Sequence, residues 1–250
     1  MPFKNFLWDE AWELNVSRGK VRGAYHIIKF GNNDDVDAQL ETVWDVGGIY
    51  PYLTSPSTLS ISSTSSEDAA GGTGARTVVV QGLDENYVPV EEEITVGGGP
   101  GGVLFYRIFR AFVKTAGSSG TNEGTMTIDA GLTTVAGIRA VGTPTEYGLG
   151  QTFMAVYTVP SGYTGYIFQW DVSTAKSPGD IFLMKRTYGN GTWRAQDTIH
   201  TNQNDVERNY KFPLKVEEKA DIEVRAIAHT TGNMKVAATF CILLVQNDDN

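Results

Sequence analysis

"RTVVVQGLDENYVPVEEEITV", Arg76 to Val96, is two extended runs joined by a polar turn. The first run holds three consecutive valines, whose branched side chains suit a pleated, half-buried surface. The second sets apolar residues against a block of glutamates, Glu91, Glu92 and Glu93. The segment predicts a long antiparallel hairpin, and Gly97-Gly98-Gly99-Pro100-Gly101-Gly102 after it reads as a linker or wide turn. Glutamates in succession along a strand alternate between its faces, so they do not converge as an acid–base pair must. Their expected role is to discourage stray pairing at a sheet edge.

The same pattern extends outward in both directions. Upstream, "TLSISSTS" alternates Leu59 and Ile61 with hydroxyl residues, and "EDAAGGTGA" reads as a flexible loop. Downstream, "VLFYRIFRAFV" is an aromatic-rich strand, and "TMTIDAG" turns Met126 and Ile128 to one face. From Gln151 onward strand-like runs recur with turn signals every roughly 8 to 12 residues, the pattern of a β-sandwich or jelly roll. Among those signals, "GNG" at Gly189–Gly191 predicts a hairpin. The final run, "KVAATFCILLV", is apolar on both faces. Val236, Ala238, Phe240 and Ile242 lie on one, and Ala237, Cys241, Leu243 and Val245 on the other. Such a strand is expected to be covered twice. The architecture expected is all-β: one or two antiparallel β-sandwich (jelly-roll-like) domains with an N-terminal arm. Residues 1–40 form the arm and docking segment, 41–148 a β-rich domain, and 149–250 a β-sandwich domain.

In the arm, Leu7, Ala11 and Leu14, with Trp8 and Trp12 four apart, predict an apolar patch on a short helix. Trp8 and Trp12 are candidate docking anchors, because tryptophan is enriched where binding energy concentrates. Phe105, Phe109 and Phe240 are further candidate interface residues on strands. The segment "MPFKNFLWDEAWELN" lacks a basic n-region, an apolar h-region and a small-residue cleavage site. No apolar run approaches the roughly 20 residues that span a bilayer. A soluble chain made in the cytoplasm, with no membrane partner, is the expectation.

At 250 residues the chain can bury one large core or two ordinary ones. Its net charge of −9 argues against nucleic acid as a partner, since phosphate binding needs a concentrated basic surface. Cys241 is the single cysteine and reads as a buried, inert thiol, so no disulfide framework forms within one chain.

Chemistry is sparse. His26, His200 and His229 have no ligand at zinc-motif spacing. "TAGSSGTN" is not G-x-S-x-G, and neither "AAGGTGAR" nor "GGGPGG" ends in the G-K-[ST] of a phosphate loop. Asp34, Asp35 and Asp37 could offer oxygens to calcium but lack the EF-hand pattern, and they read as a solvated loop. No catalytic residue, metal or cofactor is expected, and the chain is read as a non-enzyme. Tyr106, Phe109, Tyr157, Tyr163, Tyr166, Trp170 and Trp193 could instead form a sugar-stacking platform, with Trp170 and Trp193 as candidate glycan contacts. Packing in a core or interface is the competing account of the same rings.

The stretch "GTGARTVVVQGLDENYVPVEEEITV", with the upstream "VWDVGGIYPYLTSPSTLSISSTSSEDAAG", resembles virion structural proteins of tailed phages, especially marine ones. The similarity continues through "FYRIFRAFV", "AGSSGTNEGTMTI" and "GQTFMAVYTVPSGYTGYI", and so covers Gly31 to Ile167. The glycine density of "GGGPGG" departs from the pattern. The resemblance implies a virion component: a head decoration, knob or accessory subunit that docks on other capsid or tail proteins after assembly in the host cytoplasm. It implies a homo-oligomer, with a trimer the first expectation. The alternative is a tail-associated receptor- or glycan-binding protein.

Overall fold

The computed structural model describes residues 11–141, 147–189, 191–230 and 233–247; Leu7, Trp8 and Asn190 of the readings above lie outside the described residues. In chain order the elements are α1 (Trp12–Ser17), β1 (Ala24–Val36), β2 (Glu41–Thr42), β3 (Ser60–Ser63), β4 (Ala75–Leu83), β5 (Pro89–Thr95) and β6 (Arg107–Ala116). Then come β7 (Met126–Ala130), β8 (Thr133–Ile138), β9 (Ala140–Val141), β10 (Tyr147–Gly148) and β11 (Val156–Thr158). The series ends with β12 (Tyr163–Ala175), β13 (Gly179–Arg186), β14 (Trp193–Thr201), β15 (Asp205–Val216), β16 (Asp221–Ala228) and β17 (Met234–Gln246). The fold is all-β, built of antiparallel sheets in β-sandwich form.

The valine-rich hairpin forms in the register its alternation demands, with Thr77 opposite Thr95 and Leu83 opposite Pro89. Asp84 closes its turn: Oδ1 accepts from the N–H groups of Asn86 at 2.8 Å and Val88 at 2.9 Å. Tyr87, in the same turn, adopts a left-handed φ of 63°, unusual for a bulky residue. Its buried ring, edge-on to Tyr106 and Tyr188, holds it there.

Two cores organise the chain. Sheets β3-β7-β8 and β5-β4-β6 enclose Leu59, Ile61, Val78, Val80, Ile108, Met126 and Ile128. Sheets β1-β17-β12-β15 and β11-β16-β13-β14, the latter with β2 paired to β16, enclose Ile167, Trp170, Ile181, Leu183, Val224, Phe240 and Ile242. At two crossing segments the period-two alternation of an extended chain sends neighbouring side chains to different cores. Val43 enters the second core and Trp44 the first; Met154 and Val156 enter the first, Ala155 and Tyr157 the second. Trp44 and Met154 are themselves bridged. The two lobes therefore share chain segments.

Three local readings change. Residues 24–36, within the segment read as an arm, form an edge strand paired with β17 from Ala24↔Val245 to Val36↔Met234, and it runs through Asp34 and Asp35, which read as a solvated loop. They join the sheet because Tyr25 and Ile27 pack on the second core, with Val36 inside it. "EDAAGGTGA" is no free loop. Buried Asp68 accepts from the N–H groups of Ala75 (2.8 Å), Glu123 (2.9 Å) and Gly124 (2.8 Å) and from Ser63 Oγ (2.6 Å). Nor does "GGGPGG" merely link. Gly97 and Gly101 donate to the carbonyls of Ile61 (2.9 Å) and Leu59 (2.8 Å), while Glu92 accepts from Gly102 (2.6 Å) and Val103 (3.2 Å). Glu92 thus faces the glycine loop, not an approaching foreign strand.

Candidate docking face

Strand β17 presents Phe240, Ile242 and Leu244 to the core and leaves Cys241, Leu243 and Val245 half-buried on its outer side. Across it on β1, Ile28 lies opposite Cys241 and His26 opposite Leu243. On the other flank, β12 shifts register between Ile167 and Gln169 against both its neighbours. Such a bulge re-aims a side chain, and Phe168 is left exposed between buried Ile167 and half-buried Gln169.

Helix α1 lies against this face. It is too short to persist on propensity alone, and it has no side-chain cap. Its anchor is Val16, its one buried residue, and Gly19 at φ 67° ends it. Trp12 and Val16 with His26, Phe168, Cys241 and Leu243 rim a cavity of about 310 Å³. The covering is partial: Trp12 is 50% exposed, Leu14 48%, Ile28 53% and Phe168 41%. Three large apolar side chains on one face, Trp12, Ile28 and Phe168, constitute the kind of patch that marks an interaction site. Cys241, read as a buried thiol, sits half-buried at its centre, where burial and then the Asp171 charge raise its pKa.

The other candidates divide sharply. Phe105 and Phe240 are fully buried in their own cores, so neither can meet a partner. Phe109 is half-buried, its ring 5.0 Å from that of Tyr157. Trp170 is fully buried, with its Nε1–H on Asp197 at 3.2 Å, which removes it as a glycan contact. Of the two tryptophans only Trp193 keeps a part-exposed ring, and the structure encloses it in a stack that the sequence reading missed.

That stack crosses the seam between the lobes. Arg107 on β6 reaches Asp221 on β16, Nε to Oδ1 2.9 Å; Arg186 meets Oδ2 at 2.6 Å, and Thr158 Oγ1 donates to Oδ1 at 2.7 Å. The guanidiniums alternate with rings: Arg107 over Tyr106 (4.2 Å) and Tyr52 (5.3 Å), Arg186 over Tyr52 (4.5 Å) and Trp193 (4.8 Å), Arg225 over Trp193 (4.6 Å). Burial alone would weaken Arg107 as a base, and the Asp221 carboxylate more than offsets it. Glu223, paired to Arg225, is pushed up to about 7 by burial, against that cation's pull. Beside the stack a cleft of about 430 Å³ is lined by Tyr52, Tyr106, Arg186, Tyr188 and Lys219. Its one sequence signal was Asp221, Glu223 and Arg225 at alternate positions of an otherwise apolar strand, "DIEVRAIA".

Asp34, which lies on β1 and not in a loop, is taken by Arg139. Among the described residues no three His, Cys, Asp or Glu side chains gather as metal ligands would.

No protein-family model matches the chain, and no curated protein does. Among solved structures, that of the infectious bursal disease virus Gx strain aligns at 9% identity over 90% of this chain and 71% of that one, with a TM-score of 0.23. The crystal structure of the infectious bursal disease virus VP2 subviral particle aligns at 9% identity over 89% and 72%, TM-score 0.18. At such scores the likeness bears no weight.

Proposed function

We propose that the chain is a non-enzymatic structural subunit of a tailed-phage virion, a head decoration, knob or other accessory protein. In this reading it docks through the outer face of the β1-β17-β12 sheet together with the N-terminal segment that carries Trp12. The observation that carries the proposal is the exposed apolar group Trp12, Ile28 and Phe168 on that face, read with the resemblance of residues 31–167 to virion proteins. A rigid double sandwich suits a shell component, and homo-oligomers of such modules close by symmetry, a trimer first.

The test uses purified particles and recombinant chain. Mass spectrometry finds the polypeptide in the virion, and Cys241 reacts more slowly with a maleimide on the particle than in the free chain. Trp12→Asp and Phe168→Asp each abolish incorporation while leaving the circular dichroism spectrum unchanged. Particles without the polypeptide sink the proposal.

The cleft beside Trp193 favours a second reading, a receptor- or glycan-binding role at the tail, because Tyr106, Tyr188 and Lys219 offer stacking faces and a cation at its rim. Glycan-array binding lost in Trp193→Ala and Tyr188→Ala supports it; no binding to host surface polysaccharide removes it.

A further inference from the structure

Lys29 stands at an inward position of β1, opposite Phe240 of the second core, where the strand's alternation calls for an apolar residue. It is 7% exposed. A lysine that guards a sheet edge normally carries its ammonium out to water; this one does not. Among the described residues its single hydrogen-bond acceptor is the Phe109 carbonyl, for three N–H bonds. Among the described residues it has no carboxylate partner.

The amine borders a cavity of about 310 Å³ between β1 and β6, lined by His26, Ile28, Lys29, Phe30, Phe109 and Arg110, with Gln81 and Thr152 at its back. Every titratable group in that lining is basic: His26 and Lys29 from β1, Arg110 from β6. Arg110 spends one N–H on Gln151, at 3.4 Å. In a chain of net charge −9 this is a local excess of cations without counter-charge, in a low-dielectric setting where a lone ammonium is expensive. A volume of this size matches small-molecule pockets rather than a bare ion.

We propose that this cavity binds a small organic oxyanion, a carboxylate or phosphate monoester carried on an apolar body. The oxyanion is held by Lys29 with Arg110, and its body lies between Phe30 and Phe109. Binding is coupled to a proton. In the free chain burial, then the Arg110 charge, brings Lys29 down to about 7. The anion needs the ammonium, so affinity is flat below that pH and falls up to tenfold per unit above it, with about one proton taken up per ligand at pH 8.

The probes are phenyl phosphate, benzoate, benzyl alcohol and inorganic phosphate, titrated calorimetrically into the full chain at pH 6.5 and 8 in buffers of differing ionisation enthalpy. Phenyl phosphate and benzoate bind, benzyl alcohol does not, and inorganic phosphate binds at least tenfold more weakly than phenyl phosphate. Lys29→Met abolishes binding and raises the thermal midpoint without ligand. Arg110→Gln, at an exposed side chain, weakens binding at least fivefold. His26→Gln keeps the proton uptake. Binding that survives Lys29→Met, or equal binding of benzyl alcohol, overturns the proposal. So does loss of binding with no change in Arg110→Gln, or inorganic phosphate binding as tightly as its phenyl ester.

Discussion

Asp45 shows how a single carboxylate can tune the whole chain's response to acid. Its Oδ2 accepts the Phe153 N–H at 2.7 Å, while Oδ1 is buried without a hydrogen bond, 3.7 Å from Arg139 Nη1. Burial raises it to about 7, with the Phe153 and Arg139 contributions opposing; Glu223 reaches about 7 for the same first reason. Both hold a proton in the folded chain between roughly pH 4 and 7 that the unfolded chain has released, so stability falls as pH rises through that window. Asp34, Asp180, Asp197 and Glu217 are depressed instead, each despite burial, by hydrogen bonds and cations. Their contribution is lost only as pH falls below the ordinary carboxylate range. Urea midpoints should therefore correspond to about 4 kcal/mol more stability at pH 5 than at pH 7, roughly 2 from each group, and Asp45→Asn should flatten that slope by about half. A midpoint that climbs steadily from pH 5 to 7 contradicts the assignment. Asp68 differs from Asp45 in its partners: it is a buried carboxylate with four donors converging on it. Asp68→Ala should cost about 3 kcal/mol by leaving those donors without an acceptor, read as a lowered urea midpoint at unchanged slope.

Element by element, the sequence was most legible where side-chain period and local turn chemistry agree. The hairpin of β4 and β5 needed only its valines and the Asp84 turn, and β7 needed only Met126, Ile128 and Ala130 facing one way. Legibility failed where an element's role depends on a distant partner. Glu92 sits in a run that reads as edge protection, yet its acceptors serve Gly102 and Val103, and that closes the glycine loop against the strand holding Leu59 and Ile61. Gly97 and Gly99, at φ 70° and 95°, give the loop a path that residues with a Cβ rarely follow. Density that looked like slack is thus a clasp between two sheets. Glu92→Ala should lower the thermal midpoint by about 4 °C, and hydrogen exchange should speed up selectively at Gly101, Gly102 and Val103. Uniform exchange changes across β4 and β5 would assign Glu92 to the hairpin instead.

At the scale of the molecule, an all-β fold of antiparallel sandwich sheets could be read from punctuation and alternation, but the joining of its two cores could not. The seam is made by Arg107, Arg186 and Asp221, separated by up to 114 positions in sequence, and by chain segments whose alternate residues belong to different cores. Neither leaves a local signature beyond a charged stripe in β16. Candidate glycan contacts went astray for the same reason: Trp170 and Trp193 look alike in sequence, and only packing puts one in a core and the other between two arginines. Chain segments shared at Val43-Trp44 and Met154–Tyr157 mean that neither core can melt without exposing part of the other. The chain should unfold in one transition despite its two cores. Trp44 reports the first core and Trp170 the second; variants in which one or the other is the sole tryptophan should give coincident fluorescence transitions. Asp221→Ala should strip both Arg107 and Arg186 of their counter-charge and lower stability by about 3 to 5 kcal/mol, shifting the two reporters together. Transitions that separate in the parent chain would show two independent domains; separation only in Asp221→Ala would place the coupling in the ion pairs rather than in the shared segments.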